Sequence, residues 1–357
     1  MSGDANEKRS EPANRRHAED SSESSVQSAA DLITEQLGLE KVRNFSARKL
    51  FSEVFSRHEQ NELENLFTVG SVATTPCLDA TMGRMPTPWV FFRSLVAALV
   101  VYSIFQVAWS QFENPFVLPG LIMVGSFAVP ISVLVLFLEL NTPRNVSILR
   151  VIQLVMLGGA VSILISLILF EITPLLGVLG APAAGFIEET GKLLTVLLMT
   201  QALPMERYPY RLNALLFGAS VGVGFAAFES AGYALVIGIS GSSEEMISNI
   251  TLRGLMSPFG HIVWTAIAFS AYWMARKIHA GTWDALKSRR FLQVFAVPVA
   301  LHFIWNISID GPFLMKYWVL GFVAWVIVIS LVQSGLREIA ELSSRSLRAA
   351  NAEGNVT

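Results

Sequence analysis

From Trp89 onward the chain is dominated by apolar positions that come in unbroken runs, at about 89–109, 116–138, 150–170, 181–202, 212–238, 254–275, 291–309 and 313–332. Each run is roughly 20 residues, the length an α-helix needs to cross the ~30 Å hydrocarbon layer of a bilayer. Upstream the pattern changes from runs to stripes. Within 31–70, Leu50, Phe51, Val54 and Phe55, then Leu63, Leu66 and Phe67, recur at helical spacing, with Arg48, Lys49, Glu53, Arg57, Glu59 and Glu64 on the remaining faces. This predicts amphipathic helices that pack as a small hairpin or lie on the cytoplasmic membrane face. Residues 1–30 are polar and almost empty of large apolar side chains, which predicts a disordered tail. The three prolines of 71–88 predict an extended linker, and 333–357 reads as a second cytoplasmic tail.

The expected fold is therefore all-α: a polytopic membrane protein of about eight transmembrane helices over 89–332, preceded by a short cytoplasmic amphipathic region. Basic residues orient it. Arg84, Arg93, Arg144, Arg150, Arg207, Arg211, Arg276, Lys277, Lys287, Arg289, Arg290, Arg337, Arg345 and Arg348 all fall on one side of the alternating spans, against Arg253 and Lys316 on the other. That bias places both termini in the cytoplasm. No apolar run of signal-peptide length opens the sequence.

Composition sharpens the class. Of 357 residues, 52% are hydrophobic and 15% charged, and the mean hydropathy is +0.50, too apolar for a soluble domain and suited to a multi-pass protein of the cell membrane. A net charge of -2 suggests no nucleic-acid partner. Cys77 has no second cysteine to pair with and no thiolate companions for a metal site.

Against this apolar background, ionisable residues inside the runs stand out, because each costs roughly 3 kcal/mol on insertion scales. Glu188 and Glu189 adjoin in the fourth run, and Lys192 lies within a turn of both. As a buried ion pair that fixes packing, the group explains one carboxylate and leaves the other without a partner. Glu229, His261 and His302 sit in the next three runs, and counting from the run ends puts all three and Glu188 about 10–14 Å below the extracytoplasmic surface. A shared depth predicts one polar cavity. His302 and Asn306 are one turn apart, an imidazole beside an amide that can meet an oxyanion. Either histidine alone can equally be an interhelical hydrogen-bonder. Gly218 and Gly222 predict close helix packing, and Pro258 and Gly260 a local opening of the sixth helix.

Carboxylates, imidazoles and an amide in one wet pocket suit peptide-bond hydrolysis by a glutamate-activated water. A divalent metal such as zinc is the alternative, since His and Glu can hold it with an open water position. No His-Glu-x-x-His pattern is present and Lys192 opposes a cation, so the metal-free route is slightly favoured.

The ordered set Glu188-Glu189-x-x-Lys192, Phe225-x-x-x-Glu229, His261 and His302-x-x-x-Asn306 resembles the motifs of the PrsW intramembrane proteases. It resembles more distantly the CAAX prenyl endoproteases, where Glu-Glu-x-x-x-Arg, Phe-x-x-x-His and His-x-x-x-Asn hold the corresponding places. Glu229 in place of that His favours PrsW over a prenylated substrate. The resemblance implies a membrane-anchored protein substrate cut near the extracytoplasmic face, in PrsW an anti-sigma factor. It further implies Glu188 as base, Glu189 as its partner or a second acid, Glu229, His261 and His302 completing the site, and Asn306 as oxyanion donor. A proton- or ion-coupled transporter is the other class that uses intramembrane carboxylates and histidines, but the two halves of the chain share no motif.

Overall fold

The computed structural model describes residues 27–354 apart from 80, 280 and 309–313, so most of the tail expected over 1–30 lies outside the described residues. A first helix, α1, covers 27–36, followed by α2 (Ala47–Leu50) and α3 (Gln60–Thr68). The amphipathic stripe at 50–55 is thus helical only at its start, and residues 51–55 form turns. Its side chains pack on the first span: Phe51 meets Phe91 at 5.7 Å and Phe55 meets Phe92 at 5.4 Å between ring centres.

The apolar runs are helices, and no strand occurs among the described residues. In order they are α4 (Val90–Phe112), α5 (Leu118–Leu140), α6 (Ile148–Gln153) joined through a π turn (Leu154–Gly158) to α7 (Gly159–Ile172), the short α8 (Leu175–Leu179), α9 (Ala184–Thr200), α10 (Arg211–Ser240), α11 (Ser243–Met256), α12 (His261–Ile278), α13 (Thr282–Lys287), α14 (Arg289–Asn306) and α15 (Met315–Gly354). Among the described residues, five segments are long and apolar enough to cross a membrane: 90–112, 115–140, 148–172, 211–240 and 315–345. The other three expected spans correspond to α9, α12 and α14, of 17, 18 and 18 residues, which carry most of the polar motif.

Three boundaries differ from the run pattern, each for a local reason. The sixth run is broken by a 3-10 turn at Ser257–Phe259 and an extended Gly260, where Pro258 and Gly260 stop one helix and His261 starts the next. The residues before the break form α11, an amphipathic helix held by a capping box between Ser242 and Glu245. Residues 333–354, read as a tail, continue α15 without a stop.

α10 is the central post, packed against α5, α7, α11, α12 and α15. Gly218 and Gly222 allow its approach to α12: a Cβ on either would lie 2.5 or 2.6 Å from the carbonyl oxygens of Thr265 and His261. α4 lies outermost and leaves Val100, Ile104 and Val107 exposed. It lacks a capping side chain of its own. Glu139 of α5 supplies it instead, accepting from the backbone N–H groups of Trp89, Val90 and Phe91 at 2.8, 2.9 and 2.9 Å. At the end of the bundle where α10 begins, three buried asparagines interlock. Asn213 donates to Asn141 at 2.9 Å and to Asn145 at 2.6 Å, while Asn145 donates to the Arg207 carbonyl at 2.8 Å.

Candidate active site

The polar residues of α9, α10, α12 and α14 meet around one point. Glu188 and Glu189 project from the second turn of α9, beyond a 3-10 entry that Pro182 starts. Glu189 is fully buried and accepts from Lys192 Nζ at 2.6 Å and from His302 Nδ1 at 2.8 Å, both at the same carboxylate oxygen. Lys192, also fully buried, donates in addition to His261 Nδ1 at 2.8 Å and stands 4.4 Å over the Phe225 ring. With Nδ1 accepting, His261 carries its proton on Nε2 and donates it to Glu229 at 3.0 Å.

His302 is arranged the other way round. Its Nδ1–H points to Glu189, so the Nε2 lone pair is free and faces Glu188 Oε2 at 3.8 Å. The Trp264 indole stacks on the same imidazole at 4.7 Å and 25°. Glu188 Oε2 and Glu189 Oε2 are buried side-chain oxygens with no hydrogen-bond partner among the described residues.

A cavity of about 610 Å³ adjoins the cluster, lined by Glu188, Glu229, His261, His302 and Asn306 among others. Glu189 and Lys192 lie behind that wall rather than on it. Asn306 presents its amide at the rim, with only a 3.4 Å contact to the Ala181 carbonyl. His261 is the first residue of α12, Glu188 lies one turn into α9, and His302 lies one turn before the end of α14. What brings them together is the placement of helix ends.

Arg253 completes the cluster, and the run pattern hid it. From α11 it pairs with Glu229 at 2.5 Å, donates to Ser230 Oγ at 2.9 Å and lies 4.5 Å over Tyr233. Its signal in the sequence was its rarity: Arg253 and Lys316 are the two exceptions to the charge bias, and both have partners inside the protein. Lys316 donates to the Trp305 and Ile307 carbonyls at 2.8 and 2.7 Å, closing the C-terminal end of α14. Three carboxylates therefore face two cations. Glu189 is matched by Lys192 and Glu229 by Arg253, which leaves Glu188 as the carboxylate without a cation.

One ligand atom from each of Glu188, His261 and His302 lies within 4.8 Å of the other two, a spacing at which the three can hold one ion. Glu188 offers an unpartnered carboxylate oxygen and His302 a free imidazole nitrogen fixed by Glu189, two donors suited to a divalent metal; His261, whose Nδ1 accepts from Lys192 and whose Nε2 donates to Glu229, joins them as a ligand once one of those two contacts is released. A bundle with membrane-length apolar helices that gathers carboxylates and imidazoles beside a cavity defines the class of multi-pass integral membrane proteins with a buried polar site. The family model described as PrsW family intramembrane metalloprotease matches residues 147–332, more than half of the chain, and the protein belongs to that family. No curated protein and no solved structure matches it. It is thus a multi-pass membrane protein of a protease family.

Proposed function

We propose that the chain is an endopeptidase that hydrolyses a membrane-anchored protein within the outer half of the bilayer, with an anti-sigma factor as one such substrate. In this reading all eight runs cross the cell membrane and both termini are cytoplasmic. The observation that carries it is the convergence of Glu188, His261 and His302 on one point at the cavity wall, the two imidazoles backed by Glu229 and Glu189 and the Glu188 oxygen left open.

Glu188, His261 and His302 would hold a divalent ion, with zinc the natural choice for one carboxylate and two imidazoles. Bound there, such an ion polarises a carbonyl and lowers the pKa of a water. The chain's own residues do the rest. Glu189 fixes the His302 ring so that Nε2 faces the cavity, and its full burial gives it this orienting role rather than that of a second acid. Lys192 neutralises Glu189 and, with no ion bound, sets the His261 tautomer; holding an ion would require His261 to give up its contact to Lys192 or to Glu229. Glu229, held by Arg253, accepts the His261 proton and can take or return one at the cavity. Asn306 at the rim offers N–H groups to a developing oxyanion. The neighbouring Phe225, Trp264 and Trp305 keep the site dry enough for these charges to act strongly.

The test uses purified enzyme in vesicles and a membrane-anchored substrate. Glu188→Gln should lower cleavage by about 100-fold or more while the protein accumulates normally. Exhaustive chelation should do the same to the unaltered chain, and zinc should restore it. Cleavage at the unaltered rate by Glu188→Gln would remove Glu188 from the reaction, and full activity after chelation would favour glutamate and water alone.

A further inference from the structure

The cavity reaches the lipid-facing surface on one side, and the two helices there explain how. α7 and α10 are in backbone contact where Gly159 meets Gly224: a Cβ added to Gly159 would lie 2.6 Å from the Gly224 Cα, and one added to Gly224 would lie 2.0 Å from the Val155 carbonyl oxygen. The π turn Leu154–Gly158 ends at this contact, and such turns re-aim the face of the helix that follows. Beyond it α7 turns Ile163, Leu167 and Phe170 toward the cavity, and α10 turns Phe228, Gly232 and Val236. Both sets keep helical spacing over about two turns, roughly 10 Å of groove. Leu167 and Val236 are also 60% and 63% exposed, so the groove continues from the cavity to the outer face of the bundle. At its middle, a Cβ on Gly232 would meet nothing within 4 Å.

We infer that the cleft between α7 and α10 is the docking groove for a transmembrane helix of the protein substrate, whose end unwinds over Glu188. The inference rests on the protease reading above and adds the route and the form in which the substrate arrives. Two apolar rims, one of them carrying the exposed Gly232 of α10, are the surface that a third helix packs against, because a small residue lets backbones approach to about 8–10 Å. The polar end of the same space argues for peptide over lipid. Glu188, His302 and Asn306 stand there, and an acyl chain would leave them without partners, whereas an unwound peptide brings N–H donors and C=O acceptors. Unwinding is also what chemistry needs, since carbonyls inside a helix are already bonded to their own N–H groups.

The experiment uses the full-length Glu188→Gln chain in vesicles of phosphatidylethanolamine and phosphatidylglycerol. A photo-crosslinking side chain is placed at Leu167, at Val236 or, for comparison, at Val100 on the lipid face of α4. The probe is a synthetic peptide with one leucine-alanine span of about 20 residues flanked by lysines. Crosslinking from positions 167 and 236 should exceed that from position 100 by roughly tenfold, a preference of about 1.4 kcal/mol. Gly232→Trp, which fills open space, should reduce it to the position-100 level with the melting temperature unchanged. Equal crosslinking from all three positions would mean lipid occupancy and would overturn the groove. Cleavage of the same peptide by the unaltered chain separates the two readings. A peptide that is cut without selective crosslinking sinks the groove and leaves the protease, and one that is selectively crosslinked but never cut supports the groove and counts against the protease.

Discussion

The bundle buries two polar clusters, and they are built on opposite rules. Near the start of α10, Asn141, Asn145 and Asn213 form a neutral network in which donors meet acceptors at 2.6 to 3.1 Å. Toward the other end of α10, Glu188, Glu189, Glu229, His261 and His302 form a charged network with two cations, a cavity along one side and two carboxylate oxygens left without partners. Both clusters join helices distant in sequence, and both are costly to bury unless satisfied. The first is closed and does one thing, which is to tie α5, the following loop and α10 together. The second is incomplete at Glu188, and incompleteness at a cavity wall is what leaves room for an ion, a water or a scissile bond.

The comparison can be broken most forcefully inside the charged cluster. Lys192→Met removes the cation from a fully buried Glu189 and should destabilise the protein by about 3–5 kcal/mol, lowering accumulation as well as activity. Adding Glu189→Gln to it should recover accumulation without recovering cleavage. Accumulation of Lys192→Met at the unaltered level would mean that Glu189 is not charged in the folded protein. At the neutral cluster the expected effect is smaller and purely structural. Asn213→Ala should cost about 1–3 kcal/mol in a detergent-melting experiment, with the rate per folded molecule unchanged. A large loss of turnover in that variant would show the two clusters to be coupled through α10. The smallest effect is expected at Arg253, which positions Glu229 from outside. Arg253→Ala should lower kcat by roughly tenfold, and Arg253→Lys should recover part of it, because the charge is kept while the second contact to Ser230 is lost. Unchanged kcat in Arg253→Ala would reduce the arginine to a surface anchor.

The sequence by itself determined that the chain is helical and membrane-embedded, because unbroken apolar runs of bilayer length admit little else. It also picked out the ionisable residues of the site, since charges inside such runs are expensive enough to be visible without any knowledge of their partners. Order and spacing of those residues carried the family. Only the tertiary structure decided who pairs with whom. Lys192 lies within a turn of both glutamates, and helical geometry leaves the choice open; the position of His302 on α14 and His261 on α12 turns it toward Glu189 and leaves Glu188 free. Arg253 was beyond reach of the pattern because α11 is a separate amphipathic helix that ends before the break at Ser257–Phe259. Its partners lie on α10, and a one-dimensional charge count registers it only as an exception. The same holds for the groove: Gly159, Gly224 and Gly232 read alike in sequence, and it is the approach of two backbones at the first pair and the empty space at the third that gives them different work. Local runs fix what each helix is, whereas contacts between helices remote in the chain fix which polar groups are satisfied and which remain open for chemistry.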